Sequence, residues 1–211
     1  MRLALMAAGF ALAACASPAA SPAASTPLAP PPPDFPLIVS DDDIQGANVG
    51  TRPTSHPLVG KPLPTLRLAR EDGESLSDVA RKGRWTVIAF TGAWCGDSRA
   101  DAPYLAALSS AIDQDPGLDI VAVHVDARYG TFLSAGDFFQ KSGIRMLVAL
   151  DADRDVYRAL EVSWIPSYLV VDPQGVIRGF RADLSADTSS EGGVKRFIKD
   201  IAALRAAAHD R

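Results

Sequence analysis

The chain has only two cysteines, Cys15 and Cys95. Cys95 stands between the run Trp85-Thr-Val-Ile-Ala-Phe-Thr-Gly-Ala-Trp94 and the stretch Gly96-Asp97-Ser98-Arg99, where a buried-strand pattern gives way to a helical one. A sulfur at a helix start meets free backbone N–H groups and the positive end of the helix dipole, and both favour the thiolate. An ordinary thiol titrates near about 8.5, so this position predicts an activated but not extremely acidic nucleophile. Ser98, one turn on, can donate its hydroxyl to the sulfur. Asp97 opposes ionisation, and Arg99 partly offsets Asp97. The plainer reading is a small apolar filler with no reactivity. Disulfide exchange needs an attacking thiolate and a leaving sulfur, and Ser98 can be neither. Turnover by two thiols within the chain is therefore excluded unless Cys15 stays unmodified and reaches back. Two readings stand: Cys95 forms mixed disulfides that an external thiol clears, or the site binds without turning over.

The elements that would hold Cys95 can be read from periodicity. Pro64 to Ala69 alternates apolar and polar, Glu71-Asp72-Gly73-Glu74 is a turn, and Leu76 to Ala80 is a short helical turn. Val87 to Phe90 reads as a buried strand and Cys95 to Ile112 as a helix, broken by Asp115-Pro116-Gly117. Strands follow at Leu118 to Val125, Met146 to Leu150, Tyr168 to Val171 and Val176 to Phe180, and helices at Leu133 to Ser142 and Asp153 to Leu160. Asp172-Pro173-Gln174-Gly175 is a hairpin turn. The last helix carries Val194, Phe197, Ile198, Ile201 and Leu204 on one face. This order predicts an α/β domain, a central mixed sheet flanked by helices on both faces, with parallel neighbours in its middle.

Phe90-Thr-Gly-Ala-Trp94-Cys95-Gly-Asp-Ser98-Arg99-Ala-Asp101-Ala-Pro103 resembles the active-site region of thioredoxins, and most of all that of the TlpA-like branch of exported thiol-disulfide oxidoreductases. Val162-Ser-Trp164-Ile165-Pro166-Ser-Tyr168-Leu-Val-Val-Asp172-Pro-Gln-Gly175 resembles the cis-proline loop, strand and hairpin of the same family, and the likeness runs over roughly residues 58 to 207. It implies the thioredoxin fold. It also implies a cis Ile165–Pro166 bond facing Cys95, with the Ile165 backbone pairing to an extended substrate segment. Trp94 and Trp164 would flank that groove and offer apolar contact area, unless they are core. Asp101 matches a carboxylate that assists proton transfer at the second cysteine of the family's Cys-x-x-Cys. With Ser98 in that cysteine's place, a solvated or helix-pairing aspartate is the competing reading. Pro103 fits the family's helix, whereas Ala89 replaces the buried acid that thioredoxins proper carry on the preceding strand.

Other motifs fail on inspection. Asp151-Ala-Asp153-Arg-Asp155 opens like a calcium loop, but Val156 and Val162 stand where glycine and glutamate are needed. His56, His124 and His209 are too scattered to form a metal site, and no metal or cofactor is expected. The peroxiredoxin pattern Pro-x-x-x-Thr-x-x-Cys meets Ile88 and Gly92 instead of proline and threonine.

The 211 residues are 47% hydrophobic and carry a net charge of −4 with no basic run, which argues against nucleic acid. Leu3 to Ala14 has the proportions of a signal-peptide core and is too short to span a bilayer. Its end, Leu12-Ala13-Ala14-Cys15, resembles a bacterial lipobox, which implies lipidation of Cys15. The competing reading is an ordinary secretory signal cut after Ala16. Absence of aspartate at position 16 leans toward the outer membrane of a host that has one. Ala16 to Pro36 is nearly all Ala, Pro, Ser and Thr, a tether reaching up to about 60 Å if extended. The expected organisation is a signal with lipobox at 1–15, a tether at 16–57 and a thioredoxin-like domain at 58–211. The function read from this is monothiol exchange through Cys95, in the cell envelope, with exported protein thiols or disulfides or with small thiols. A non-enzymatic binding module is the alternative and a thiol-dependent peroxidase the weaker third.

Overall fold

The computed structural model describes residues 50–66, 69–70, 83–125, 134–189 and 191–209. The expected leader, most of the tether and the helical turn at 76–80 lie outside the described residues.

The apolar run before Cys95 forms β2 (Trp85–Thr91), buried along its whole length. A strand covered on both faces needs such continuous apolarity. It pairs in parallel with β3 (Leu118–Val125), Trp85 opposite Leu118 and Thr91 opposite His124. On its other side β5 (Ser167–Val171) runs antiparallel, Phe90 opposite Ser167. With β1 (Ala69–Arg70), β4 (Leu147–Asp151) and β6 (Ile177–Ala182), the six-stranded order is β1-β4-β3-β2-β5-β6. The mixed sheet with central parallel strands is the expected one. Of the stretch predicted to alternate as a strand, residues 64–66 lie outside any strand and Ala69 falls in β1, while Pro62 makes an isolated bridge to Val176.

Four helices complete the described fold: α1 (Gly96–Ile112), α2 (Ala135–Lys141), α3 (Asp155–Ala159) and α4 (Gly193–His209). Alternate residues of β2 feed two cores, as the pleat requires. Val87 and Ala89 join Ala102, Leu105, Leu108, Phe138, Phe197 and Ile201 beneath α1, α2 and α4. Ile88 and Phe90 join Leu58, Val156, Tyr157, Leu160 and Ile165 on the opposite face. The periodic residues of α4 all pack on one core as expected, the one beneath α1, α2 and α4, with Phe197 and Ile201 fully buried and Val194, Ile198 and Leu204 partly so.

Packing starts ahead of residue 58, where the domain was expected to begin. His56 is 8% exposed, and the Arg52 guanidinium lies 2.5 Å from Asp183. Nothing local in an Arg-Pro-Thr segment signals a partner 131 residues away.

Candidate active site around Cys95

Cys95 is the N-cap of α1, with φ −83° and ψ 126°. Its carbonyl accepts from Arg99 N at 3.1 Å and opens the helix. Arg99 also reaches back, Nη1 donating to the carbonyls of Ala93 (2.9 Å) and Trp94 (3.1 Å), so the turn before the thiol is clamped by a guanidinium. Cys95 is only 7% exposed, and its Sγ donates to the carbonyl of Ile165 at 3.2 Å. The Ile165–Pro166 peptide is cis. The proline loop and the thiol, seventy residues apart in sequence, therefore meet as the resemblance implies.

The expected lowering of the thiol's titration point is corrected by burial. Desolvation pushes Cys95 up, and the Asp97 charge adds to it. The backbone N–H groups of Ser98 and Asp97 and the Ser98 hydroxyl pull the other way and are outweighed. A helix start can stabilise a thiolate only as far as water has not been removed from it. The S–H donating to Ile165 is the protonated form that this balance favours.

Ser98 is 2% exposed, and its Oγ accepts from Gly92 N at 3.1 Å, tying the strand exit to the first turn of α1. Of the two readings of Trp94, groove wall or core, its burial fits core. It is 6% exposed and donates Nε1 to the Val125 carbonyl at 2.8 Å, with the Arg154 guanidinium 5.6 Å from its ring centroid. The indole folds so tightly over Gly92 that a Cβ there would lie 2.6 Å from Nε1. The threonine that a peroxiredoxin-like site requires at this position has no room.

Trp164 is also buried, at 8% exposure, and its Nε1 donates to both Asp183 oxygens at 3.1 and 3.0 Å. Arg52 completes the group, bonded to Asp183 and 5.6 Å from the Trp164 ring centroid. Burial raises the Asp183 carboxyl above its ordinary value, against the pull of Arg52 and Trp164. The backbone N–H of Asp183 donates to the Pro166 carbonyl at 3.3 Å. Both tryptophans therefore shape the proline loop and the thiol turn from within rather than offering an open apolar wall.

Asp101 is 1% exposed, neither solvated nor paired along its helix. One oxygen accepts from the Tyr168 hydroxyl in a short bond, and the other accepts from Ser185 N at 2.5 Å. Tyr168 lies on β5 opposite Ala89. Burial, then the Asp101 charge, holds its phenol far above the usual range. The carboxylate thus bonds to a buried phenol and to the chain beyond β6.

Asp183, Arg52 and Tyr168 escaped the sequence reading, and so did Tyr157. Tyr157 shares a core with Cys95, and burial raises its phenol first, while a Cys95 thiolate would raise it further. The short helical signal at 153–160 marked its element, but only the fold brings that helix under the thiol. His124 lies at ring-centroid distances of 6.4 Å from both Phe138 and Phe139, and burial lowers it to about 4. Among the described residues no three metal-ligating side chains come together.

Residues 59–180, more than half of the chain, match the model of the AhpC/TSA family, and the chain belongs to that family. It is distantly related to thiol-disulfide oxidoreductases: the protein ResA of Bacillus subtilis is 28% identical over 118 residues, 56% of this chain and 64% of that relative. The match thus spans less than two thirds of that relative's length. Among solved structures, a secreted disulfide oxidoreductase of Mycobacterium tuberculosis superposes with a TM-score of 0.52 at 20% identity, over 66% of this chain and 96% of that one. The thioredoxin domain of a Bacteroides vulgatus thiol-disulfide oxidoreductase gives 0.53 at 22%, over 67% and 96%. These likenesses establish the thioredoxin-like fold.

Proposed function

We propose that this chain is an exported, lipid-anchored thiol-disulfide exchange protein in which Cys95 is the single nucleophile. Its thiolate attacks a disulfide of an exported protein or small molecule, the distal sulfur leaves, and the mixed disulfide persists until an external thiol clears it. The observation that carries this reading is Cys95 Sγ at 3.2 Å from the carbonyl that precedes cis-Pro166, at a strand-to-helix turn in a thioredoxin-like fold. Membership of the AhpC/TSA family and the ResA relationship support it. The anchor rests on Leu12-Ala13-Ala14-Cys15 alone.

Incubation with 5,5′-dithiobis(2-nitrobenzoate) tests the chemistry. A single burst of released thionitrobenzoate is expected without added thiol, with continuing turnover once a small thiol is supplied. Turnover with no added thiol, or no trapping at all, would remove the monothiol reading. Mass spectrometry of protein from its native membrane checks the anchor, expecting an acylated Cys15 at the mature N-terminus.

The burial of Cys95 and its raised titration point favour a second reading, a binding module without turnover. That reading replaces the first if Cys95 resists alkylation in the folded protein up to strongly alkaline pH.

A further inference from the structure

An open cleft of about 600 Å³ lies beside Trp164 and Asp183, between the segment at Arg52 and the start of α4. It is on the same end of the sheet as the thiol. β2 ends just before Cys95, β5 begins at Ser167 just after Pro166, and β6 returns to put Ala182 opposite Ser167. Two strand spacings separate β2 from β6, a lateral distance of about 10 Å.

Three guanidinium groups line this cleft, those of Arg52, Arg181 and Arg196, against two carboxylates, Asp183 and Asp187. Among the lining residues positive charge is in excess by one, and outside the lining the exposed Asp200 lies 3.7 Å from Arg181 Nη1. Arg52 and Arg196 are about half exposed, and Arg196 lies 3.7 Å from Asp187. Arg181 bonds Asp187 at 2.6 Å through Nη2, while its buried Nε has no acceptor among the described residues. A guanidinium has five donors in a planar fork that matches a carboxylate. The volume suits a small ligand rather than a folded partner.

We propose that this cleft seats the carboxylate of a small acidic peptide thiol, which resolves the mixed disulfide on Cys95. The inference rests on the monothiol reading above, which requires an external thiol because Ser98 cannot act. An extended di- or tripeptide spans roughly 7–10 Å at ~3.3 Å per residue, enough to place its sulfur at Cys95 while its carboxylate stays among the arginines. The seated thiolate attacks the Cys95 sulfur, the bond to the partner sulfur breaks, and the partner leaves as a thiolate that takes up a proton. A second molecule of the small thiol then attacks the sulfur of the first. Their disulfide departs, and Cys95 leaves as a thiolate that is reprotonated beside Ile165. Two small thiols are oxidised to one disulfide, and the mixed disulfide is reduced to two thiols.

Binding is read by NMR titration of Cys95→Ala with S-methylglutathione, which has carboxylates but no thiol. Saturable shifts at the cleft are expected, weakened at least about tenfold by Arg196→Gln and by raising salt. Asp187→Asn releases Arg181 and Arg196 from a competing carboxylate and should tighten the complex, which a merely misfolded variant would not do. In the wild-type protein, glutathione should clear a Cys95–thionitrobenzoate disulfide faster than cysteamine at equal thiolate concentration, and Arg196→Gln should reduce that advantage at least about tenfold. No saturable binding, or the same affinity in Arg196→Gln and Asp187→Asn, overturns the proposal. Because the probe has no thiol and the variant no Cys95, that failure is separate from failure of wild-type Cys95 to trap a disulfide.

Discussion

The Cys95 thiol donates to the carbonyl of Ile165 across 3.2 Å, so the nucleophile is held by the same loop that the family resemblance assigns to substrate pairing. An incoming extended segment and the S–H compete for one carbonyl. Ionisation of Cys95 removes that donor and leaves the carbonyl for a partner's N–H, which links deprotonation to binding.

Cys95 should therefore be a slow nucleophile at neutral pH in the resting protein. Burial raises its titration point, so the folded protein holds the proton at pH values where the unfolded chain has lost it. The rate of iodoacetamide alkylation in the native protein should go on rising above the pH at which a denatured control levels off. A native plateau at lower pH than the control would contradict this.

Ser98→Cys should create a Cys-x-x-Cys pair within one helical turn and give disulfide reductase activity without added thiol. It also loses the hydroxyl that accepts from Gly92 N, at a cost of about 1 kcal/mol in stability. Turnover assays and thermal melts on the same preparation separate the two effects. A folded variant that forms no intramolecular disulfide would show that the scaffold no longer supports exchange.

His124 predicts acid sensitivity. Burial lowers it from 6.5 to about 4, so between these values the unfolded chain takes up a proton that the folded chain refuses. Stability from this group is full above about pH 6.5 and is lost as pH falls toward 4, amounting to about 3 kcal/mol. Urea denaturation of wild type and His124→Gln at pH 7 and pH 4.5 should show a smaller pH dependence in the variant. Equal dependence in both would place the acid sensitivity elsewhere.

Asp101 and Tyr168 should be strongly coupled. Tyr168→Phe leaves a buried carboxylate without one of its donors, at a cost of about 1–3 kcal/mol. In a double-mutant cycle with Asp101→Asn, an interaction energy well above the ~0.5 kcal/mol expected of independent sites should appear. Additive effects would mean that the short bond contributes nothing in solution.

Most of the frame is legible in the sequence. Strand and helix order follow from hydrophobic period, which is a local property, and β2, β3 and α1 lie where that period places them. Cys95 at a strand-to-helix turn and the absent second thiol at Ser98 are likewise written in the chain, and the proline loop at Pro166 follows from the family resemblance. What the tertiary structure decided are the environments. Whether Trp94 and Trp164 line a groove or fill the interior depends on what packs over them, and Asp183, Arg52 and Val125 come from distant parts of the chain. Asp101 read either as a proton carrier or as a solvated or helix-paired aspartate, and the fold removes the second reading by bringing Tyr168 and Ser185 to it. The titration of Cys95 turned for the same reason: its neighbours in sequence favour the thiolate, but desolvation belongs to the assembled core and outweighs them.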